Sequence, residues 1–275
     1  MLTSRRATAA RKALTKPPAW WDKFTLYEIA VTNADTLAEF FTSLAPRART
    51  LREDFSGTAA LARAFIARDP AHRAIAVDHD RAVTSRIPKS PNLTTITADV
   101  RRCKLRSDII AATNFAAGYY HTRPALIAYL RHARACLSPS GLFICDMYAG
   151  SSAFVADEQR VVVRVPKELG SGTFVYIWEQ RVVDITTALV HNAIHFELPR
   201  PKRTPLVIQD AFTYHWRIWS PAELRDAMLE AGFKRVDIYD RIGDAIDQHG
   251  NLYTRPLTQG DEIDDPAVLY FAAKK

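Results

Sequence analysis

Glycine is scarce, 10 residues in 275, where soluble proteins usually carry ~7%. Collagen-like and low-complexity architectures are excluded, and each glycine present needs a local reason. Cysteine is scarcer: Cys103, Cys136 and Cys145 stand far apart with no Cys-x-x-Cys pair. A disulfide framework or a zinc site is not expected from that count; three reduced thiols in a cytoplasmic protein are. Cys145 lies in an apolar run and reads as a small core residue. No apolar run approaches the ~20 residues of a spanning helix, so no membrane span is expected. Acid is missing from residues 1–21, which carry Arg5, Arg6, Arg11, Lys12 and Lys16. These five residues supply most of the net charge of +7 and leave the rest nearly neutral. The stretch reads as a disordered basic arm; an organelle transit peptide and a nucleic-acid-contacting arm are the alternatives. A nucleic-acid surface usually shows as a basic face on the folded body, and here nucleic acid is not the expected partner.

A chain of 275 residues removes roughly 75% of its unfolded surface from water on folding. One large α/β domain, or one with an added lobe, fits. Apolar residues at helical spacing predict a helix over Trp20–Leu44, ended by Pro46. Short strands follow at Thr50–Phe55, Arg73–Val77, Leu93–Ala98, Asp108–Ala112 and Leu142–Met147. Helices are expected over Gly57–Arg68 and Thr122–Leu137, and Ser138-Pro-Ser-Gly141 reads as the turn before the fifth strand. The alternation predicts a Rossmann-like, doubly wound α/β sheet of seven strands, mostly parallel with the last antiparallel. Between 151 and 219 the texture changes to successive strands at Val161–Val165, Phe174–Val183, Ala188–Leu198 and Leu206–Trp219, an antiparallel β insertion. Ser220, Pro221 and Glu223 open a helix that Gly232 closes, and strands at Val236–Tyr239 and Ala267–Ala273 finish the sheet. The expected division is thus an arm at 1–21, a ligand-binding core with a helical cap at 22–150, the insertion at 151–219 as lid or substrate wall, and the rest of the core at 220–275.

Ligands of such sheets bind at the carboxyl ends of the strands. Those ends read Glu53-Asp54-Phe55-Ser56-Gly57, Asp78-His79-Asp80, Asp99-Val100, Asn114-Phe115 and Asp146-Met147-Tyr148. A dinucleotide lays its pyrophosphate over the first turn, where glycines and a helix N-terminus receive it. This turn offers one glycine and two carboxylates, and like charges at ~4 Å cost on the order of 1–4 kcal/mol. A nucleoside without phosphates and with a cationic end is favoured instead, which S-adenosyl-L-methionine satisfies. Asp78 then suits the ribose diol and Asp99 the adenine amino group.

Residues 51–61, Leu-Arg-Glu-Asp-Phe-Ser-Gly-Thr-Ala-Ala-Leu, resemble the first motif of class I S-adenosylmethionine-dependent methyltransferases. Ala76-Val-Asp-His-Asp80, Thr97-Ala-Asp-Val100 and Asp108–Phe115 resemble the second, third and fourth, and Glu230-Ala-Gly-Phe233 also matches. The similarity spans about 25–275 and looks close to a bacterial-type subgroup with Arg-Glu-Asp-Phe and Asn-Phe signatures. It implies Glu53 and Gly57 at the methionine end, Asp78 on the ribose, Asp99 and Val100 at adenine, and Asn114 below the sulfonium, with His79 and Phe115 as further cofactor-binding candidates. Arg52 is a candidate for the cofactor carboxylate, with an ion pair to Asp54 or Glu53 as the alternative, and Tyr27 is a candidate to close over the cofactor. Two of the family's usual glycines are Phe55 and Ala59 here.

Methyl transfer is an in-line displacement, for which positioning at ~3–3.5 Å supplies roughly 7–11 kcal/mol. Tyr120, Asp146 and Tyr148 are the catalytic candidates at the fourth and fifth strand ends, with Tyr119 and His121 nearby; His191, His195 and His215 are weaker ones. The Asn/Asp-Pro-Pro-Tyr loop of exocyclic-amine methyltransferases is missing, with Thr113-Asn-Phe-Ala116 in its place. A small-molecule methyl acceptor, attacked through N or O, is therefore expected. An RNA-directed methyltransferase and a non-catalytic cofactor-binding protein are the alternatives.

Overall fold

The computed structural model describes residues 20–200, 203–240, 242 and 255–275. The arm expected at 1–21 lies outside them as far as residue 19. Trp20, assigned to that arm, is instead buried and packs its ring against Phe174 at 6.1 Å. An indole gains more from such burial than from solvent.

The chain divides into two compact units. One comprises Met1–Thr32, Glu158–Glu179 and Ala193–Phe212; the other comprises Asn33–Asp157, Gln180–Asn192 and Thr213–Lys275. This division crosses the expected boundaries: the start of the helical cap groups with parts of the insertion, and residues 180–192 and 213–219 group with the core.

In the first unit, helix α1 (Lys23–Val31) is capped by Asp22, whose carboxylate accepts from the Thr25 amide and hydroxyl at 3.3 and 3.0 Å. Helix α2 (Ala34–Leu44) belongs to the second unit. The single helix expected over 20–44 is thus two. Thr32 is extended (φ −88°, ψ 117°) and Asn33 is the N-cap of α2. A β-branched pair followed by Asn favours a break, which the apolar spacing running through it conceals.

The second unit is built on β1 (Thr50–Asp54), α3 (Ala60–Arg68), β2 (Arg73–Asp78), α4 (Arg81–Thr84), β3 (Leu93–Thr97) and β4 (Ser107–Ala112), then α5 (Arg123–Cys136) and β5 (Leu137–Ala149). Helix α6 (Pro221–Glu230), β10 (Arg235–Tyr239) and β11 (Ala267–Lys274) complete it. The strand order is β10-β11-β5-β4-β1-β2-β3. Every pairing from β5 to β3 is parallel, and β11 runs antiparallel to both its neighbours. The seven-stranded, doubly wound sheet is therefore as expected. On one face, Phe40, Phe41, Leu61 and Phe65 of α2 and α3 close over Leu51, Ile109 and Ile144. On the other, Tyr129 of α5 meets Phe143 at 6.0 Å.

The turn expected at Ser138–Gly141 is part of β5. Ser107 faces Leu137 and Ile109 already faces Leu142, so the Ser-Pro-Ser segment bulges out of register. A bulge tolerates Pro139, which has no amide to give the ladder. Helix α6 starts on the predicted capping box: the Ser220 hydroxyl accepts from the Glu223 amide, and the Glu223 carboxylate accepts from the Ser220 amide.

A separate four-stranded antiparallel sheet has the order β6 (Asp157–Val165), β7 (Gly172–Asp184), β8 (Leu189–Leu198) and β9 (Leu206–Arg217). Among the described residues no helix is long and apolar enough to cross a membrane.

Candidate functional site

The first strand–helix turn sets the geometry. Phe55, Gly57 and Ala59 have φ of 58°, 52° and 59°. Glycine adopts this left-handed region freely; other residues lose roughly 1–2 kcal/mol there. Phe55 and Ala59 keep it because the turn is pinned: the Ser56 amide donates to Val77 O (3.0 Å) and the Ala59 amide to Ser56 O (2.7 Å). The Gly57 amide donates to the Asp78 carboxylate at 2.9 Å, joining the ends of β1 and β2. A Cβ added at Gly57 would meet nothing within 4 Å, so the backbone here faces open space.

Strand alternation sends the two acids of β1 to opposite faces. The Glu53 carboxylate accepts from the Ala62 amide at 2.8 Å in the first turn of α3, where the helix dipole favours negative charge. Asp54 turns into the opposite core, where the Arg52 Nε and Nη2 groups donate to its two oxygens at 2.8 Å each. The Tyr129 hydroxyl adds a third bond at 2.9 Å. Burial raises the Asp54 pKa against the pull of Arg52.

Arg52 is fully buried, and its remaining Nη1 donates to Cys103 O (3.0 Å) and Leu105 O (3.3 Å). The role considered for Arg52, meeting a cofactor carboxylate, is not available to a guanidinium spent in this way. Its alternative, the ion pair with Asp54, is the one observed.

Asp78 closes β2 with its second oxygen accepting from the Asp80 amide at 2.9 Å. His79 is 82% exposed, its Nδ1 3.7 Å from Asp78. Asp99, after β3, accepts from the Arg101 amide and guanidinium. The side-chain bonds from Arg101 hold its pKa at about 2. Val100 beside it is buried.

After β4, Asn114 and Phe115 are both left-handed, with φ of 58° and 61°. Their amides donate to the two oxygens of Asp146 at 3.0 and 2.7 Å. Burial pushes the Asp146 pKa up to about 7 despite these two bonds. The Phe115 ring meets Tyr148 edge-on at 4.9 Å and Trp216 at 5.6 Å.

Two of the three catalytic candidates are held by the protein itself. Asp146 is buried with both oxygens taken by the Asn114–Phe115 backbone, so it shapes the loop rather than facing a ligand. The Tyr148 hydroxyl donates to Gln180 Oε1 at 3.0 Å and accepts from Asn192 Nδ2 at 3.1 Å. Gln180 is oriented by donating to Ala153 O and Val155 O, at 3.0 and 2.7 Å. Burial raises the pKa of Tyr148, and its proton is committed to Gln180. Tyr120 is buried and stacked on Tyr129 at 4.8 Å. Burial and the nearby Asp54 charge raise its pKa too. Tyr119 is 46% exposed and stacks on Phe55 at 5.8 Å.

His121 hydrogen-bonds through Nε2 to His215 O at 2.8 Å, and the His191 and His215 rings lie 4.1 Å apart. His195 and Tyr27 belong to the first unit. His195 Nε2 pairs with Glu179 at 2.9 Å, and the Tyr27 ring meets Phe212 at 5.1 Å.

Glu53, Gly57, Asp78, His79, Asp99, Val100, Asn114 and Phe115 therefore line the carboxyl ends of β1 to β4 within one unit. Sequence reasoning missed Arg101, Gln180 and Asn192. Gln180 and Asn192 are buried polar residues, but each stands beside other polar residues, Glu179 and Arg181 or His191, so the sequence leaves no signal that singles them out.

No protein-family model matches the sequence, and no curated protein matches it. Solved structures do match in fold. A methyltransferase from Clostridium acetobutylicum described as S-adenosylmethionine-dependent superposes with a TM-score of 0.65 at 13% identity, covering 90% of this chain and 96% of its own. A sugar N-methyltransferase from a Streptoalloteichus species gives 0.64 at 14% identity, covering 94% of each. An amino pentose methyltransferase from Micromonospora echinaspora, solved with S-adenosylmethionine bound, gives 0.61 at 14% identity, covering 100% of this chain and 99% of its own. The chain has the fold of the class I S-adenosylmethionine-dependent methyltransferases.

Proposed function

We propose that this chain is an S-adenosylmethionine-dependent methyltransferase that moves a methyl group to nitrogen or oxygen of a small molecule. The observation that carries the reading is the pair of carboxylates, Glu53 and Asp78, at the ends of β1 and β2 around a turn whose one glycine faces open space. Glu53 and Asp78 are bound to backbone amides at 2.8 and 2.9 Å, which holds their positions. Such a rim repels a pyrophosphate and attracts a cation.

The residues present fit the cofactor. Asp78, with His79 beside it, would hold the ribose; Asp99 and Val100 would hold the adenine; Glu53, Gly57 and the Asn114–Phe115 backbone would hold the methionine end. Once bound, S-adenosylmethionine supplies a sulfonium methyl open to in-line displacement. The protein's own contribution is positioning. Asp146 fixes the Asn114–Phe115 loop, and Phe115, Tyr148 and Trp216 form an apolar wall beside it that excludes water. The hydroxyl of Tyr148 and the carboxylate of Asp146 are already engaged, so neither acts as a free base. An amine acceptor that binds as the free base attacks through its own lone pair and needs no protein base to free it; the proton shed from the methylated nitrogen passes to solvent, and this favours nitrogen over oxygen. The sugar N-methyltransferase and amino pentose methyltransferase that share the fold support an amine-bearing small molecule.

Calorimetric titration with S-adenosylhomocysteine and with NAD tests the cofactor. Micromolar binding of the first and none of the second is expected, and the reverse overturns the proposal. Transfer of a labelled methyl group onto a panel of amino sugars, amines and alcohols tests the acceptor. Cofactor binding with no transfer to any of them would favour a non-catalytic binding protein.

A further inference from the structure

We propose that the chain pairs with a second copy of itself through β6, edge to edge and antiparallel, across a two-fold axis at Val161. β6 is a terminal strand of the four-stranded sheet and runs nine residues, Asp157–Val165, without proline. At roughly 3.3 Å per residue this is an edge of about 30 Å. Val161 and Val162 stand on opposite faces of the strand, yet are 51% and 69% exposed. Each face of the edge thus carries an exposed valine at its middle, with Arg160 and Arg164 on either side of Val162 on its face. Charged side chains on an edge oppose pairing with an arbitrary strand; those of β6, Asp157, Glu158, Arg160 and Arg164, leave open a partner whose charges are complementary.

The charges flanking the valines select the partner and the register. With Val161 opposite its own copy, Glu158 falls opposite Arg164 of the second chain, and the same pair recurs by symmetry. Arg160 falls opposite Val162, and Glu197 at 2.6 Å keeps its charge met within its own chain while Glu158, 3.3 Å from it, is shared with Arg164 of the second copy. Moving the axis to Val162 would set Arg160 opposite Arg164, a like-charge pair that opposes association. A slip that pairs Val161 with Val162 would put side chains of opposite facing together and lose the two Glu–Arg pairs. The sequence of this strand is therefore self-complementary in one register, which is what an isologous two-fold contact requires.

Light scattering on the full chain after size exclusion should give a dimer at micromolar concentration. Val162→Lys should give a monomer with unchanged circular dichroism. Glu158→Arg alone sets like charges opposite each other twice and should weaken association about tenfold, while adding Arg164→Glu should restore it. Under mild oxidation Val161→Cys should cross-link to its copy, and Val163→Cys, which is not opposite itself, should not. A wild-type monomer at all concentrations overturns the proposal, as does a dimer that ignores Val162→Lys. Equal cross-linking by the two cysteine variants overturns the register.

Discussion

Replacing Asp146 by Asn separates two opposing effects at one buried group. In the wild type both oxygens accept amides, from Asn114 at 3.0 Å and Phe115 at 2.7 Å. Asn keeps one acceptor and turns an NH₂ group toward the other amide, leaving a buried donor unmet at about 1–3 kcal/mol. Against this, Asn removes a carboxylate that burial penalises. Folded Asp146 holds its proton up to about pH 7, whereas the ordinary value is 3.8. Between these limits folding takes up a proton, so wild-type stability falls as pH rises; below the window both states are protonated, and above it both are ionised. From pH 5 to pH 8 that loss is on the order of 3 kcal/mol, about two pKa units at ~1.4 kcal/mol each. Asp146→Asn has no such slope. The variant is therefore expected to be less stable by about 1–3 kcal/mol at pH 5 and to match or exceed the wild type at pH 8. Urea denaturation of both proteins at four pH values reads the gap directly. A gap that stays constant, or widens with rising pH, would refute the assignment of a raised pKa to this carboxyl.

Three further outcomes follow from the site. Arg52→Leu leaves Asp54 buried and unpaired and should cost about 3–5 kcal/mol, while Arg52→Leu with Asp54→Leu should recover much of it. The double variant should also bind S-adenosylhomocysteine normally; a lost affinity would return Arg52 to the ligand site. Asp78→Ala should weaken S-adenosylhomocysteine binding at least tenfold by calorimetry, and equal binding would contradict its ribose role. Tyr148→Phe removes a buried hydroxyl bonded to Gln180 and Asn192, and is expected to cost about 1–3 kcal/mol in urea denaturation. Its effect should fall on stability more than on the pH profile of any transfer, because that hydroxyl is no base; a lost basic limb would show otherwise.

The carboxyl-end acids were legible because strand ends and the loops after them are local features. Asp78 and Asp99 each follow a short β-branched or aliphatic run that can be counted in the chain, and Glu53 lies just before the Phe55-Ser-Gly57 turn. The break at Thr32–Asn33 was hidden by apolar periodicity continuing on both sides of it. The bulge in β5 was hidden because Ser138–Gly141 has the composition of a turn, and only pairing with β4 shows that the strand continues through it.

The order of strands and helices, the capping box of α6 and the acids at the carboxyl ends of the strands are properties of the linear chain. They depend on spacing, side-chain type and local hydrogen bonding, which extend over a few residues. The fates of Arg52, Asp146 and Tyr148 depended on residues 31 to 53 positions away. Whether Arg52 met Asp54 alone or also two distant carbonyls, and whether Asp146 faced solvent or two amides of another loop, was decided when the sheet assembled. Burial then fixed which polar atoms had to find partners inside the protein, and so which remained for a ligand.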